Sequence, residues 1–283
     1  MKILLAVMLL LVSLQAKSFF SNDEQKDKST YIAALKDLMI ATQKTRGLTN
    51  SYLNGNIAAQ LLVYGNRNKM KKAIGRMESL PLAADPIINK RATTISQDLI
   101  KLNNKAFRRD PGEVFDAYTE AIAQTLMLAQ SVSSRNADKM NPLGKDLTKI
   151  MMEDMLPLIE YIGQLRGLGS GLAAKGSVTP KQKNKLMGIM SQIVILSEDF
   201  QNDMDVVIKK YSSEFDSGIN KKMNSVIKSV NDYMNYANTN FTKKEYHVDA
   251  TEYFDRGTAI ISDIIEIYDI NNKIIKADAD GWL

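Results

Sequence analysis

Apolar residues recur at helical spacing along nearly the whole chain. Leu35, Met39 and Leu53 lie on one line of three- and four-residue steps. Met155 and Ile159 lie on another such line, in a later segment. Steps of this size keep side chains on one face of an α-helix, and no series of alternating apolar and polar positions indicates strands. The pattern therefore predicts an all-α protein.

Turn and capping signals divide this pattern into eight predicted helices. They cover residues 30–54, 56–79, 84–107, 114–134, 141–174, 179–210, 214–238 and 249–277. Several begin at a capping residue followed by proline, as at Asp85, Asn141 and Thr179. Eight amphipathic helices joined by short polar turns are typical of two tandem four-helix bundles. We expect the first bundle at residues 29–138 and the second at residues 139–283.

The N-terminal residues have the pattern of a secretory signal. Lys2 precedes an apolar run of 12 residues, 3–14, and a polar segment follows soon afterwards. A membrane-spanning helix needs about 20 apolar residues, so this run is too short to be a typical span. We predict a signal peptide at residues 1–16, with cleavage after residue 16 or 18; an uncleaved membrane anchor is the alternative. The mature protein is then expected in the periplasm or outside the cell.

Composition and charge exclude several classes of function. The chain has no cysteine, so it is neither a disulfide scaffold nor a lipoprotein. Its net charge is +5, and its basic residues are scattered along the chain, whereas nucleic-acid-binding proteins usually have a dense basic patch. The predicted signal peptide also argues against a nucleic-acid partner. His247 is the only histidine, and no phosphate-binding glycine loop occurs. We expect no enzymatic activity, no cofactor and no metal.

An Arg-Gly-Leu triplet occurs twice, 120 residues apart. Arg46 lies in "QKTRGLTNSYLNG" and Arg166 in "GQLRGLGSGLAAKG". Each triplet lies late in the first helix of its predicted bundle, which indicates a weak internal duplication. Both arginines fall on the apolar line of their helix, where an unpaired charge costs several kcal/mol.

Glycines and hydroxyls accompany these arginines. Gly163, Gly167 and Gly171 are four residues apart and form a bare ridge beside Arg166. The three glycines forgo about 3 kcal/mol of helix propensity, so close packing of another helix or a small ligand must offset the loss. The hydroxyl groups expected near the arginines belong to Thr42, Thr45, Thr49 and Ser170.

A third Arg-Gly pair occurs near the start of the last helix. Arg256 precedes Gly257 and Thr258. Asp255 or Glu252 can pair with this arginine, so it is the weakest of the three copies.

The same segments resemble a known sensor family. "ATQKTRGLTNSYLNGN" and "LIEYIGQLRGLGSGLAAKGSVTPKQ" are similar to the nitrate- and nitrite-sensing (NIT) domain, and "EYFDRGTAIISDI" resembles its closing helix. The resemblance implies two four-helix bundles with a small anion held between helices by arginines. Arg46 and Arg166 match the family's arginines, and Arg256 corresponds to an arginine of the last bundle with looser spacing. The family often has a charged residue where this chain has Thr45, which leaves the ligand's identity open.

Nitrate and guanidinium are chemically matched. Nitrate is planar with three acceptor oxygens, and guanidinium is a planar fork of donors that can meet two oxygens at once. Two arginines from different helices can therefore clamp one anion, with hydroxyls completing the shell. The candidate ligand-binding residues are Arg46, Arg166, Thr49, Thr42, Ser170, Gly167 and Arg256.

Three alternatives follow from the same residues. The arginines can pair with carboxylates of the bundle, and the candidates are Asp37, Glu153, Glu160 and Asp263. The ligand can be a small carboxylate, or the chain can be a structural or interaction protein of the cell envelope. If the protein is a sensor, we expect it to pass its signal to a membrane receptor or kinase, or to a second copy of itself.

Overall fold

A computed structural model describes residues 2–135, 137, 140–243 and 247–279, with side chains from residue 24 onward. All regular secondary structure in these residues is helical, which confirms the all-α prediction. None of the helices in these residues is long and apolar enough to cross a membrane. The side chains of the predicted leader lie outside the described residues, so the leader and its cleavage position stay predictions.

Eight helices follow one another through the described residues. They are α1 (Lys2–Leu53), α2 (Ala59–Glu78), α3 (Pro86–Lys105), α4 (Pro111–Ser134), α5, α6 (Pro180–Lys210), α7 (Ile219–Phe241) and α8 (Ala250–Ala279). Helix α5 is made of Pro142–Ile150, a π turn at Met151–Met155, and Leu156–Lys175, which continue into one another. Short 3-10 turns at Pro81–Ala84, Ala106–Arg108 and Ser212–Glu214 lie between helices.

Several helices start at capping residues that can be recognised in the sequence. Asp85 Oδ1 accepts hydrogen bonds from the backbone N–H groups of Ile87 and Ile88, at 2.9 and 3.0 Å. Thr179 caps α6 in a reciprocal capping box with Gln182. Helix α4 starts at Pro111, three residues before the predicted start, because Asp110 caps it and proline fits the first helical position.

The helices pack in two groups of four. Helix α1 packs on α2 and α4, and α3 packs on α4; in the second group α5 packs on α6 and α8, and α7 packs on α8. Helix α1 also packs along α5 and α8, so one continuous apolar core runs through both groups. The division into separate bundles at residues 29–138 and 139–283 stays a prediction.

The two groups meet where α1 crosses α5. A Cβ atom added to Gly167 would lie 3.1 Å from the Cα of Gly47, so the two backbones touch at this point. On either side of the crossing, Gly163 faces the Gln43 side chain and Gly171 faces the Asn50 side chain. The ridge of glycines on α5 is therefore covered by α1, which offsets the helix propensity that the glycines lose.

Candidate anion-binding site

Arg166 of α5 is a fully buried cation. Its Nη1 donates to Thr258 Oγ1 on α8 at 2.9 Å, and its guanidinium carbon lies 4.5 Å from the centre of the Phe254 ring. Its Nε and Nη2 are buried and have no hydrogen-bond partner, and no carboxylate pairs with it among the described residues. Nε and Nη2 form one edge of the guanidinium, which can hold two oxygens of a single planar anion.

The electrostatic surroundings leave this cation poorly compensated. Burial, helped by the charge of Arg46, lowers the pKa of Arg166 to about 10, although Tyr233, Glu160 and Asp255 oppose the shift. Arg166 is still protonated at neutral pH. Burying such a charge costs several kcal/mol unless a counterion lies beside it. A bound anion would offset this cost.

Arg46 of α1 is equally buried but has a counterion. Its Nη1 lies 2.5 Å from Glu160 Oε1, and its Nη2 lies 3.3 Å from Glu160 Oε2. Nη1 also donates to Thr119 Oγ1 on α4 at 2.9 Å, and the guanidinium lies 4.9 Å from the centre of the Phe115 ring. Nε of Arg46 has no hydrogen-bond partner. Glu160 is one of the candidate carboxylates named from the sequence. It binds the two terminal nitrogens of the Arg46 guanidinium.

Glu160 is held by more than one helix. Its carboxylate accepts from Gln43 Nε2 at 2.7 Å and from Gln164 Nε2 at 3.0 Å, in addition to Arg46. The side chain is only about one-twentieth exposed. These contacts hold the Glu160 carboxylate beside Arg46 in the protein interior.

Each arginine has the same kind of neighbours on a different helix. Phe115 and Thr119 of α4 lie against Arg46, as Phe254 and Thr258 of α8 lie against Arg166. Both pairs come from a Phe-Asp-x-x-Thr motif, "FDAYT" and "FDRGT". The duplication suggested by the arginines therefore extends to a second helix of each half. Sequence reasoning missed this repeat, although the shared motif was available as a signal.

The two halves differ at one decisive position. With the spacing of 120 residues, the position on α1 that matches Glu160 on α5 is Ile40. Glu160 reaches across to Arg46, whereas Ile40 cannot offer a carboxylate to Arg166. Consequently Arg46 has a counterion, and Arg166 has none among the residues that the structure describes.

A cleft leads to the neighbours of Arg166. It has a volume of about 410 Å³ and is lined by residues that include Lys44, Lys69, Ser170, Phe254 and Thr258. Burial lowers the pKa of Lys44, and the nearby charges of Arg166 and Lys69 lower it further. Phe254 and Thr258, which contact the guanidinium of Arg166, line this cleft together with two lysines and Asp255.

The remaining predicted residues are distributed around this centre. Thr42 donates its hydroxyl to the carbonyl oxygen of Leu38 in its own helix, at 2.8 Å. Ser170 donates to the carbonyl oxygen of Ala250 at 3.1 Å and so joins α5 to the start of α8. Gly167 lies at the crossing with α1, next to Arg166 in the chain.

Two further predicted residues have other surroundings. Arg256 is on the surface, where it pairs with Glu252 at 2.6 Å and stacks over Tyr236. This is the pairing that the sequence offered as its alternative role. Thr49 is fully buried. It lies beside the hydroxyl of Tyr118 on α4.

Comparisons with known proteins concern the family and the fold. A family model described as nitrate and nitrite sensing matches residues 37–275 of the chain. The solved structure of the NasR transcription antiterminator is similar with a TM-score of 0.62, over 98% of this chain and 75% of that chain, at 14% sequence identity. At that identity the likeness concerns the fold alone. No curated protein matches the chain.

Proposed function

The chain belongs to the nitrate- and nitrite-sensing (NIT) family, and on this premise we propose that it binds nitrate or nitrite between α1, α5 and α8. The observation that carries the proposal is Arg166, a buried guanidinium with two unpartnered N–H groups and no ion pair among the described residues. The family is one of sensors, and we propose a binding function and no catalytic one.

The chemistry of this proposal follows from the donor set. Two oxygens of the anion accept from Nε and Nη2 of Arg166, each such charge-assisted bond contributing about 1.5–3 kcal/mol. Nε of Arg46 is the next donor, because Glu160 engages only the other two nitrogens. The anion's single charge compensates Arg166 without requiring Glu160 to leave Arg46.

A small carboxylate is the second candidate ligand. Glu160 is itself a carboxylate bound by a guanidinium of this interior, through two oxygens and two nitrogens. An acetate-like ligand would also meet Arg166 with two oxygens, on the edge formed by Nε and Nη2. Nitrite has only its two oxygens, and nitrate has a third oxygen where acetate has a methyl group.

Signalling is part of the same proposal. Arg46 and Arg166 belong to the two helices that cross at Gly47 and Gly167, so an anion held by both would favour one arrangement of the crossing. We propose that an exported mature protein passes this change to a membrane receptor or kinase, or to a second copy of itself. Mass measurement of the mature chain from a fractionated cell tests the export, with cleavage after residue 16 or 18 as the expected result.

The binding proposal is tested by thermal unfolding of the full chain. We expect sodium nitrate or sodium nitrite to raise Tm above its value in sodium chloride of equal ionic strength, with a logarithmic dependence on concentration. Arg166→Met should remove this increase. Arg256→Met is the matched control, because it removes an exposed arginine and should keep the increase.

The possible outcomes separate the alternatives. An increase in Tm with acetate or malate alone would replace nitrate by a small carboxylate. No increase with any anion, together with a change in stability in Arg166→Met, would favour a structural protein of the cell envelope. Either result would reject nitrate and nitrite as the ligands.

A further inference from the structure

Helix α2 begins with an apolar surface that is exposed. Leu61 is 80% exposed, and Ile57, which lies just before the helix, is 77% exposed; Leu62 is exposed as well. Leu61 and Leu62 line the cleft of about 410 Å³ that Phe254 also lines. Single apolar residues on a surface are common, whereas a group of them beside a cleft is typical of a binding surface.

The second half of the chain has polar residues at the matching positions. The residues that lie 120 positions after this apolar group, at the start of α6, are Ser177, Lys181 and Gln182. Lys181 and Gln182 line a cleft of about 400 Å³ there, as Leu61 and Leu62 line theirs. Polar residues therefore suit this place in the fold, and the packing of the chain itself does not account for the leucines of α2.

Beyond the leucines, the same side of α2 is basic. Lys69, Lys72 and Arg76 follow at steps of three and four residues, which keep side chains on one side of a helix. A second cleft of about 410 Å³ lies along them and shares Lys44 and Lys69 with the first. Arg76 has an ion-pair partner, whereas Lys69 and Lys72 have none among the residues that the structure describes. The α2 face, as we call this side, is made of Leu61, Leu62, Gly65, Lys69, Lys72 and Arg76.

Helix α6 has an exposed side of the complementary kind. Glu198 and Asp205 follow Val194 at steps of four and seven residues, and neither carboxylate forms an ion pair in the described part of the chain. Residues 187–206 include no lysine or arginine. The α6 face, as we call this side, is made of Met187, Val194, Ile195, Glu198, Asp205 and Val206, all of them exposed. Three of its apolar residues precede both acids, as the leucines precede the basic residues on α2.

We propose that the α2 face of one copy of this chain binds the α6 face of a second copy. With the two helices parallel, the leucines of α2 cover apolar residues of α6, and the two unpaired lysines meet the two unpaired carboxylates. Such complementary charges favour this pairing and disfavour the pairing of two like faces. A Cβ atom added to Gly65 would meet no atom of its own chain within 4 Å, so a side chain of the second copy can approach the α2 backbone there.

The proposed contact joins two different faces. Each copy offers one face of each kind, so the contact can link more than two copies. It uses neither Arg46 nor Arg166, and it therefore stands whether or not the chain binds nitrate or nitrite. It also gives a surface to the second copy that was named as a possible receiver of the signal.

Sedimentation velocity of the full chain tests the contact by reversal of charge. We expect the mean mass of the unmodified chain to rise with its concentration. Lys69→Glu combined with Lys72→Glu should raise the dissociation constant at least about tenfold, because acids would then face acids. Glu198→Lys combined with Asp205→Lys should have the same effect. An equal mixture of these two variants should associate again, because every contact between them joins opposite charges.

A control variant has the same change of net charge at a different place. Lys71→Glu combined with Lys90→Glu replaces two exposed lysines that lie off the α2 face, and the association should stay unchanged. An unmodified chain that stays monomeric at every concentration would overturn the proposal. So would an association that survives either reversal on the two faces, or a mixture of the two reversed variants that stays dissociated.

Chemical cross-linking of the unmodified chain keeps the proposal decidable if a variant fails to fold. A carbodiimide joins a lysine amine directly to a carboxylate that touches it. In a mixture of isotope-labelled and unlabelled chains, we expect links between two copies from Lys69 or Lys72 to Glu198 or Asp205. Links between copies that involve only other residues would overturn the proposal.

Discussion

Arg46 and Arg166 have neighbours of the same residue types, but their positive charges are compensated differently. Each guanidinium faces a phenylalanine ring and donates to a threonine hydroxyl. Glu160 adds a carboxylate to Arg46 alone. A single side chain therefore decides which of two equivalent arginines can take an external anion as its principal partner.

Replacing Glu160 tests this division of roles. Glu160→Gln keeps the shape but leaves the charge of Arg46 buried and unpaired, so we expect a loss of about 3–5 kcal/mol of stability. The increase in Tm on adding nitrate should be larger in this variant than in the unmodified chain, because the anion can then compensate the charges of both arginines. Glu252→Gln, which breaks an exposed pair with Arg256, should cost at most about 0.5 kcal/mol. Equal stability of the Glu160→Gln and unmodified chains would contradict the assigned role.

Asp154 gives the stability a predictable dependence on pH. It lies in the π turn of α5, its Oδ2 has no hydrogen-bond partner, and burial together with Asp203 and Asp199 raises its pKa to about 6. The folded chain thus binds this proton more tightly than the unfolded chain does. The contribution of Asp154 to stability falls as pH rises from about 4 to about 6, and the loss persists above that range.

We expect Asp154→Asn to raise Tm by about 2–4 °C at pH 8, corresponding to roughly 1 kcal/mol. The gain should nearly vanish at pH 4, where the native carboxyl is protonated. Asp205→Asn on α6 is the control, because its carboxylate is exposed and its loss should change Tm little at either pH. The same gain in Tm at both pH values for Asp154→Asn would contradict the explanation.

At the scale of elements, the crossing of α1 and α5 joins the two halves. The glycine ridge on α5 was predicted from its spacing of four residues, and the structure packs α1 directly on it. The same close approach brings Glu160 of α5 to Arg46 of α1. The ridge therefore contributes to the site as well as to packing.

Gly167→Ala tests the crossing. The added methyl would lie 3.1 Å from a backbone atom of Gly47 and 3.1 Å from the Phe115 ring, so α1 and α5 would have to separate. We expect a loss of about 1–3 kcal/mol, despite the better helix propensity of alanine. Gly188→Ala on α6 has no atom within 4 Å of the new methyl and should gain up to about 1 kcal/mol. Chemical denaturation measures both, and a stabilised Gly167→Ala would refute the close contact.

At the scale of the whole molecule, the two groups of four helices share one core. Buried apolar residues of α1 and α5 belong to the same continuous cluster, and the candidate site lies between the groups. The two groups are joined there, because Glu160 of one group pairs with Arg46 of the other and Gly167 of one contacts Gly47 of the other. The two predicted bundles together are thus expected to behave as a single sensor unit.

Calorimetry of the full chain tests this expectation. We predict one unfolding transition in which the calorimetric and van't Hoff enthalpies agree. Two transitions, or a stable folded fragment of residues 139–283 by itself, would show that the bundles are independent. In the fragment, the glycine ridge of α5 would lose its cover from α1.

Much of this protein could be read from its sequence because helix formation is local. Apolar periodicity, proline after a capping residue, and glycine turns act over a few residues, so the all-α class and most helix boundaries were predictable. The burial of Arg46 and Arg166 followed from the same periodicity. The two triplets and the segments around them were also enough to suggest the family.

The pairing of side chains across helices was decided only by the tertiary structure. Whether Glu160 meets Arg46 or faces solvent depends on the register of two helices whose residues are 114 positions apart, which no local pattern encodes. The sequence determined that arginines would be buried, because burial follows the face of a helix; tertiary packing determined which of them has a carboxylate, because that depends on distances between helices.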